Sequence, residues 1–76
     1  MTNQEFQSNF ANAVVYRTGY SDGLNIVTFK GDFNGVKFNV EYTFKGSIAM
    51  EIFKSVESVT MKTLNDYGSV TNFKVL

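Results

Sequence analysis

The chain has 76 residues, and its seven cationic and seven anionic side chains give a formal net charge of zero. It contains no cysteine and no histidine, which excludes a disulfide framework and removes the commonest metal ligands and general bases. The lack of cysteine favours a reducing compartment, and no apolar run is long enough to span a membrane. We therefore expect one soluble, cytoplasmic α+β domain over residues 1–76, with a core of Phe and Tyr rings.

The first residues predict a short helix over residues 3–12. Thr2 and Glu5 have the spacing of a capping box, in which a hydroxyl and a carboxylate satisfy free backbone amides. Phe6 and Phe10 stand four residues apart and share one helix face. A helix this short is unstable alone, so we expect it to dock through both rings.

Two turn signals, Asp22-Gly23 and Asn34-Gly35, predict a three-stranded antiparallel meander. The second turn fixes a register that pairs Phe33 with Val36, Asp32 with Lys37, Gly31 with Phe38, Phe29 with Val40 and Val27 with Tyr42. The first turn, if equally tight, pairs Ser21 with Leu24, Arg17 with Thr28 and Tyr16 with Phe29.

These registers predict one apolar and one polar sheet face, because side chains alternate along a strand. The expected core face carries Val14, Tyr16, Tyr20, Val27, Phe29, Phe33, Phe38, Val40, Tyr42 and Phe44. The expected open face carries Arg17, Leu24, Ile26, Thr28, Lys30, Asp32, Lys37, Asn39, Glu41 and Thr43.

A long amphipathic helix is expected from Ser47 to Tyr67, with Gly68 as its stop signal. Its apolar stripe would comprise Ile48, Ala49, Ile52, Phe53, Val56, Val59, Thr60, Thr63, Leu64 and Tyr67, and would cover the aromatic face of the sheet. A final strand from Val70 to Leu76 completes a two-layer sandwich of order α-β-β-β-α-β. Two placements stay open for it: parallel to the first and third strands, or added to a neighbouring subunit.

The sequence predicts no catalytic residue, no cofactor and no metal site. Asp22 and Asp32 lie in or beside turns, where Asp serves local backbone hydrogen bonding. Glu51 and Glu57 are six residues apart on the expected helix and would not meet. None of the six glycines belongs to a phosphate-binding motif. No motif identifies a family.

A protein-contact surface is the strongest functional candidate. Met50 and Met61 are expected on the polar side of the long helix, and adaptable Met is common at binding surfaces. The open sheet face adds further apolar side chains. The candidate contacts are Met50, Lys54, Glu57, Met61, Leu24, Ile26 and Arg17.

We therefore expect a small non-enzymatic binding protein that acts through protein–protein interaction. Its size and lone-domain organisation are typical of compact inhibitors that phages and mobile elements direct at a host system. One alternative is a homo-oligomer that sequesters a small ligand such as a nucleotide between Tyr rims. The other is a nucleic-acid-binding module, which the zero net charge and an open face without aromatic rings disfavour.

Overall fold

The fold is an α+β sandwich of one antiparallel sheet and one layer of short helices. The computed structural model describes residues 1–21 and 23–76. The elements in that part of the chain are α1 (Asn3–Asn9), β1 (Val14–Ser21), β2 (Ile26–Phe33), β3 (Val36–Phe44), α2 (Ser47–Phe53), β4 (Ser58–Thr60), α3 (Met61–Asn65) and β5 (Gly68–Val75). The strand order is β4-β1-β2-β3-β5, and each neighbouring pair is antiparallel.

Helix α1 begins and docks as the sequence predicts, although it ends at Asn9. The Thr2 hydroxyl accepts a hydrogen bond from the Glu5 amide at 3.1 Å, and the Glu5 carboxylate accepts one from the Thr2 amide at 2.9 Å. The Phe6 ring stacks on Phe10 and on Phe73 of β5, with centroid distances of 4.4 and 4.3 Å. Both helix rings belong to the core, so docking through them is confirmed.

The β2–β3 hairpin has the predicted register. Phe33 pairs with Val36, and the ladder continues in step to Ile26 and Thr43. Asn34 and Gly35 have positive φ angles of 53° and 80°, as a two-residue turn of the primed type requires.

The β1–β2 register differs from the prediction. Asp22, the first residue of the predicted turn, lies outside the described residues. Ser21 pairs with Ile26, so the connection is longer than two residues, and the register shifts again between Arg17 and Gly19. Such a β-bulge places two residues of one strand opposite one residue of its partner.

The bulge turns the N-terminal half of β1 over relative to the predicted register. Tyr16 pairs with Lys30 rather than Phe29, and a change of one residue moves a side chain to the other face. Val15 is therefore fully buried, whereas Val14 and Tyr16 are exposed. The predictions that Val14 and Tyr16 lie in the core and that Arg17 lies on the open face are wrong.

The predicted long helix from Ser47 to Tyr67 is also wrong, because the chain leaves the helix after Phe53. The Ser55 hydroxyl donates to the Ile52 carbonyl at 3.1 Å and so occupies a free carbonyl at the end of the helix. Val59 and Thr60 are β-branched and favour extended structure. Residues 58–60 form β4 and pair with the outer edge of β1, where Val59 lies opposite Val15. The Thr60 side chain then caps α3 by accepting from the Thr63 amide.

The last strand, β5, lies antiparallel to β3 and belongs to the same sheet of the same chain. The parallel placement is wrong because the chain reverses once between β3 and β4, and β5 then runs in the same direction as β4, opposite to β3. The three helices share one side of the sheet, where they enclose the aromatic core around Phe6, Phe29, Phe38 and Tyr42. Among the described residues, no helix has the length and apolar character needed to cross a bilayer.

Candidate functional site

Two of the predicted contact residues are buried. Met50 is a buried residue of α2 and is 3% exposed, whereas Met61 is the first residue of α3 and is 0% exposed. Their expected position on the polar side of a continuous helix is wrong, because that helix breaks and each segment turns its own apolar side inward. Neither side chain offers a surface to a partner in this conformation.

The other predicted contacts do not form one surface. Arg17 is half-buried on the helix side, where its Nε donates to the Val56 carbonyl at 3.0 Å and its amide donates to the Glu57 carbonyl at 3.2 Å. Leu24 is exposed in the β1–β2 connection, and Ile26 is half-buried at the start of β2. Arg17 therefore fastens the segment before β4 to the sheet.

Lys54 caps the C-terminal end of α2, and Glu57 lies in the loop that joins α2 to β4. The ammonium of Lys54 is 2.8 Å from a carboxylate oxygen of Glu51 and 5.6 Å from the centroid of the Tyr20 ring. Glu57 is exposed and is the residue directly before β4. The ammonium of Lys54 therefore contacts an acidic side chain, Glu51, and an aromatic ring, Tyr20.

The outward side of α2 is apolar, which the sequence pattern did not predict. Ile48 is 77% exposed and Ile52 is 49% exposed, one helical turn apart. They line a shallow depression of about 600 Å³, and we call its lining the α2 surface: Ser47, Ile48, Glu51, Ile52, Ser55 and Val56.

This surface arises because α2 is short. A helix ending at Phe53 buries Ala49, Met50 and Phe53, and its remaining apolar residues, Ile48 and Ile52, have no sheet beneath them. The signal in the sequence was the excess of apolar positions between residues 48 and 56, too wide for one buried stripe on a seven-residue helix.

The open sheet face carries a second depression, of about 250 Å³. Its central row runs across the sheet from Tyr16 on β1 to Lys30 on β2 and Asn39 on β3, and Lys74 of β5 pairs with Asn39. We call the lining the open-face groove: Tyr16, Lys30, Gly31, Asp32, Lys37, Phe38, Asn39 and Leu76. The expectation of an open face without aromatic rings is wrong, because the β1 bulge places Tyr16 there.

Within residues 1–21 and 23–76, no group of three or more Asp and Glu residues is arranged to hold a metal ion. Comparisons with protein-family models, curated proteins and solved structures give no match to this chain. The α2 surface and the open-face groove are therefore the candidate sites.

Proposed function

We propose that the chain is a non-enzymatic binding protein that uses the α2 surface to contact a larger protein. The observation that carries the proposal is the exposure of Ile48 and Ile52 on one side of one helix. Apolar residues spaced by four are the anchors with which helices enter hydrophobic grooves. A few such anchors with a polar rim supply most of the energy of many interfaces.

The rim of the α2 surface indicates the chemistry of the partner. Glu51 and Lys54 form an ion pair along one border, and Ser47 and Ser55 add hydroxyls. A complementary protein would present an apolar groove bordered by charges of both signs, since one-sided charge would repel one member of the pair. A small inhibitor from a phage or mobile element that occupies such a groove on a host protein agrees with these features.

The test is site-specific photo-crosslinking in an extract of the cells that carry the chain, with the crosslinker at Ser47 and separately at Ser55. We expect both positions to capture the same protein. Purified, that protein should bind Ile48→Glu at least about tenfold more weakly than wild type, a loss of about 1.4 kcal/mol.

The matched control is Val14→Glu, which places the same charge on an exposed apolar side chain at the opposite sheet face; Val14 is 45% exposed and Ile48 is 77% exposed. It should bind as wild type does. Equal losses in Val14→Glu and Ile48→Glu would reject the α2 surface. If the partner is an enzyme, wild type should lower its activity and Ile48→Glu should not, which tests the inhibitor role.

The homo-oligomer alternative has lost one of its supporting observations, because β5 completes the sheet of its own chain. The half-exposed rings of Tyr20 and Tyr67 remain in its favour. Native mass spectrometry of the purified chain separates the two proposals: a closed oligomer that carries a small mass would favour ligand capture, and a bare monomer would favour a protein partner.

A further inference from the structure

We propose that the open-face groove binds single-stranded nucleic acid, with Tyr16 as the platform on which a base stacks. The groove lies on the side of the sheet opposite α2, so this site is separate from the α2 surface. Sheets that bind single strands combine exposed aromatic rings with cationic side chains along the path of the backbone. Each of these elements is present in the groove.

The ring of Tyr16 is available for stacking because of the β1 bulge. It is 49% exposed, and its cross-strand neighbour on β2 is Lys30. Asn39 follows in the same row on β3. Its amide can donate to and accept from the edge of a base, which a lysine ammonium cannot do.

Cations continue across the sheet from this ring. Lys30 on β2 and Lys74 on β5 both pair with Asn39 of β3, and Lys37 of β3 is a diagonal neighbour of each. Adjacent strands are about 4.8 Å apart, so these three ammonium groups can follow a phosphate backbone that crosses the sheet. Because the net charge of the whole chain is zero, this local excess of positive charge is not visible in the composition.

Two carboxylates limit the basic area. Asp32 pairs with Lys37 across the hairpin and is the acidic residue of the groove. Glu41 lies outside it, and its carboxylate accepts a hydrogen bond from the Thr71 hydroxyl at 2.7 Å. The lining of the groove thus holds two lysines, Lys30 and Lys37, against one aspartate, which leaves it cationic; Lys74 and Glu41 both lie outside the lining.

The size of the groove favours a strand over a free nucleotide. Pockets that enclose small molecules measure about 300–1,000 Å³, and the open-face groove holds about 250 Å³ without walls on every side. One base can rest on Tyr16, but affinity must come from several shallow contacts spread over the sheet. A strand supplies such contacts, whereas a mononucleotide cannot.

The experiment is fluorescence anisotropy with a labelled oligothymidylate of about ten nucleotides, a length within the range of other sheet-based sites. Contact with three phosphates predicts that affinity falls roughly 100-fold from about 20 mM to about 200 mM salt. Tyr16→Ala should weaken binding about 5- to 150-fold, the range measured for loss of one stacked base. Lys30→Gln should lower the slope of log affinity against log salt by about 0.7.

Two matched controls lie on the helix side. Tyr67→Ala removes a ring as exposed as that of Tyr16, and Lys62→Gln removes a cation from α3. Both variants should bind the strand as wild type does. A duplex of the same length should bind more weakly than the strand, because its bases are already stacked on each other.

Lack of strand binding at low salt would overturn the proposal. So would binding of thymidine monophosphate as tight as that of the strand, or equal losses in Tyr16→Ala and Tyr67→Ala. Circular dichroism of each variant verifies that a loss of binding is not a loss of fold. Because Ile48→Glu leaves the groove intact, it should bind the strand normally whatever the outcome for the α2 surface.

Discussion

Gly31 marks a place in β2 that has no room for a side chain. A Cβ atom there would lie 2.5 Å from Cζ of Phe38 and 3.0 Å from Cγ1 of Val15, both of which are fully buried. The Phe38 ring thus covers the glycine, as expected from the hairpin register. We predict that Gly31→Ala lowers the free energy of unfolding by about 1–3 kcal/mol, the usual cost of overpacking a core.

Urea unfolding measures this effect, and Gly23→Ala is the control. A Cβ atom at Gly23 meets no atom within 4 Å, so its stability should stay close to that of wild type. Equal stability of the two variants would show that the Phe38 ring moves aside at little cost.

The capping box makes the stability of α1 depend on pH. Hydrogen bonds from the Thr2 amide and then from the Thr2 hydroxyl lower the pKa of Glu5 below its ordinary value of 4.5. Because the folded pKa lies below the unfolded pKa, ionised Glu5 stabilises the fold. That contribution is complete above the unfolded pKa and is lost as pH falls through the folded pKa.

We predict that Glu5→Ala is less stable than wild type at neutral pH and that the difference shrinks as pH falls below 4.5 and the carboxylate takes up its proton. Urea titrations at neutral pH and at a series of pH values below 4.5 measure it. Gln4→Ala changes an uncharged residue of the same helix, so its difference from wild type should not follow pH in this way. A Glu5→Ala difference that is constant with pH would contradict the capping role of the carboxylate.

At the scale of elements, one hydrogen-bonded chain joins β3, α3 and α1. The Tyr42 hydroxyl donates to the side-chain oxygen of Asn65, and the Asn65 amide donates to the Gln7 carbonyl at 3.1 Å. Burial raises the pKa of Tyr42 above its ordinary value of 10.0, so the hydroxyl keeps its proton and remains a donor. Asn65 therefore holds the five-residue α3 against the sheet.

We predict that Asn65→Ala costs about 1–3 kcal/mol, because it leaves the buried Tyr42 hydroxyl without its acceptor. Tyr42→Phe should cost less, since it removes the hydroxyl itself and Asn65 is only half-buried. Denaturation of both single variants and the double variant gives the coupling energy. Additive losses would show that this hydrogen bond does not stabilise the fold.

The elements that the sequence predicted correctly are those determined by nearby residues. The Thr2 and Glu5 side chains start α1 through contacts three residues apart, and Asn34-Gly35 fixes the hairpin through its own positive φ angles. In both cases the chemistry that selects the structure lies within four residues. For these two elements the local sequence pattern is sufficient to predict the structure.

The prediction of one helix from Ser47 to Tyr67 was wrong because the sequence pattern in its second half fits both a helix and a strand. Val59 and Thr60 complete an apolar helical stripe, but as β-branched residues they also suit a strand. The edge of β1 decides between the two by offering backbone partners to residues 58–60. That partner is more than 40 residues away in the sequence, so a local pattern does not reveal it.

Both candidate sites follow from such long-range effects. The α2 surface exists because the helix stops at Phe53 and leaves Ile48 and Ile52 uncovered. The open-face groove contains an aromatic ring because the β1 bulge turns Tyr16 outward. The sequence indicated a binding protein because it offered no catalytic or metal-binding residues. The location of the two binding surfaces could be seen only in the tertiary structure.

At the scale of the whole molecule, the two edges of the sheet are protected from pairing with other chains. Edge β4 has only three residues, and a register shift interrupts β5 opposite Glu41 and Tyr42. Short strands and bulges are common defences of an exposed edge. Helix α1 adds a third defence, since its side chains occupy backbone groups of β5.

We predict that the double variant Asn3→Ala, Gln7→Ala weakens this defence. Gln7 accepts from the Val70 amide at 3.0 Å and Asn3 donates to the Thr71 carbonyl at 3.2 Å, so the variant frees two backbone groups of β5 for a second chain. It should self-associate with rising concentration in analytical ultracentrifugation and lose about 1–3 kcal/mol of stability as a monomer. Gln4→Ala, an exposed change on the same helix, should sediment as wild type does. A double variant that sediments as wild type does, despite its lower stability, would mean that the register shift in β5 protects this edge without α1.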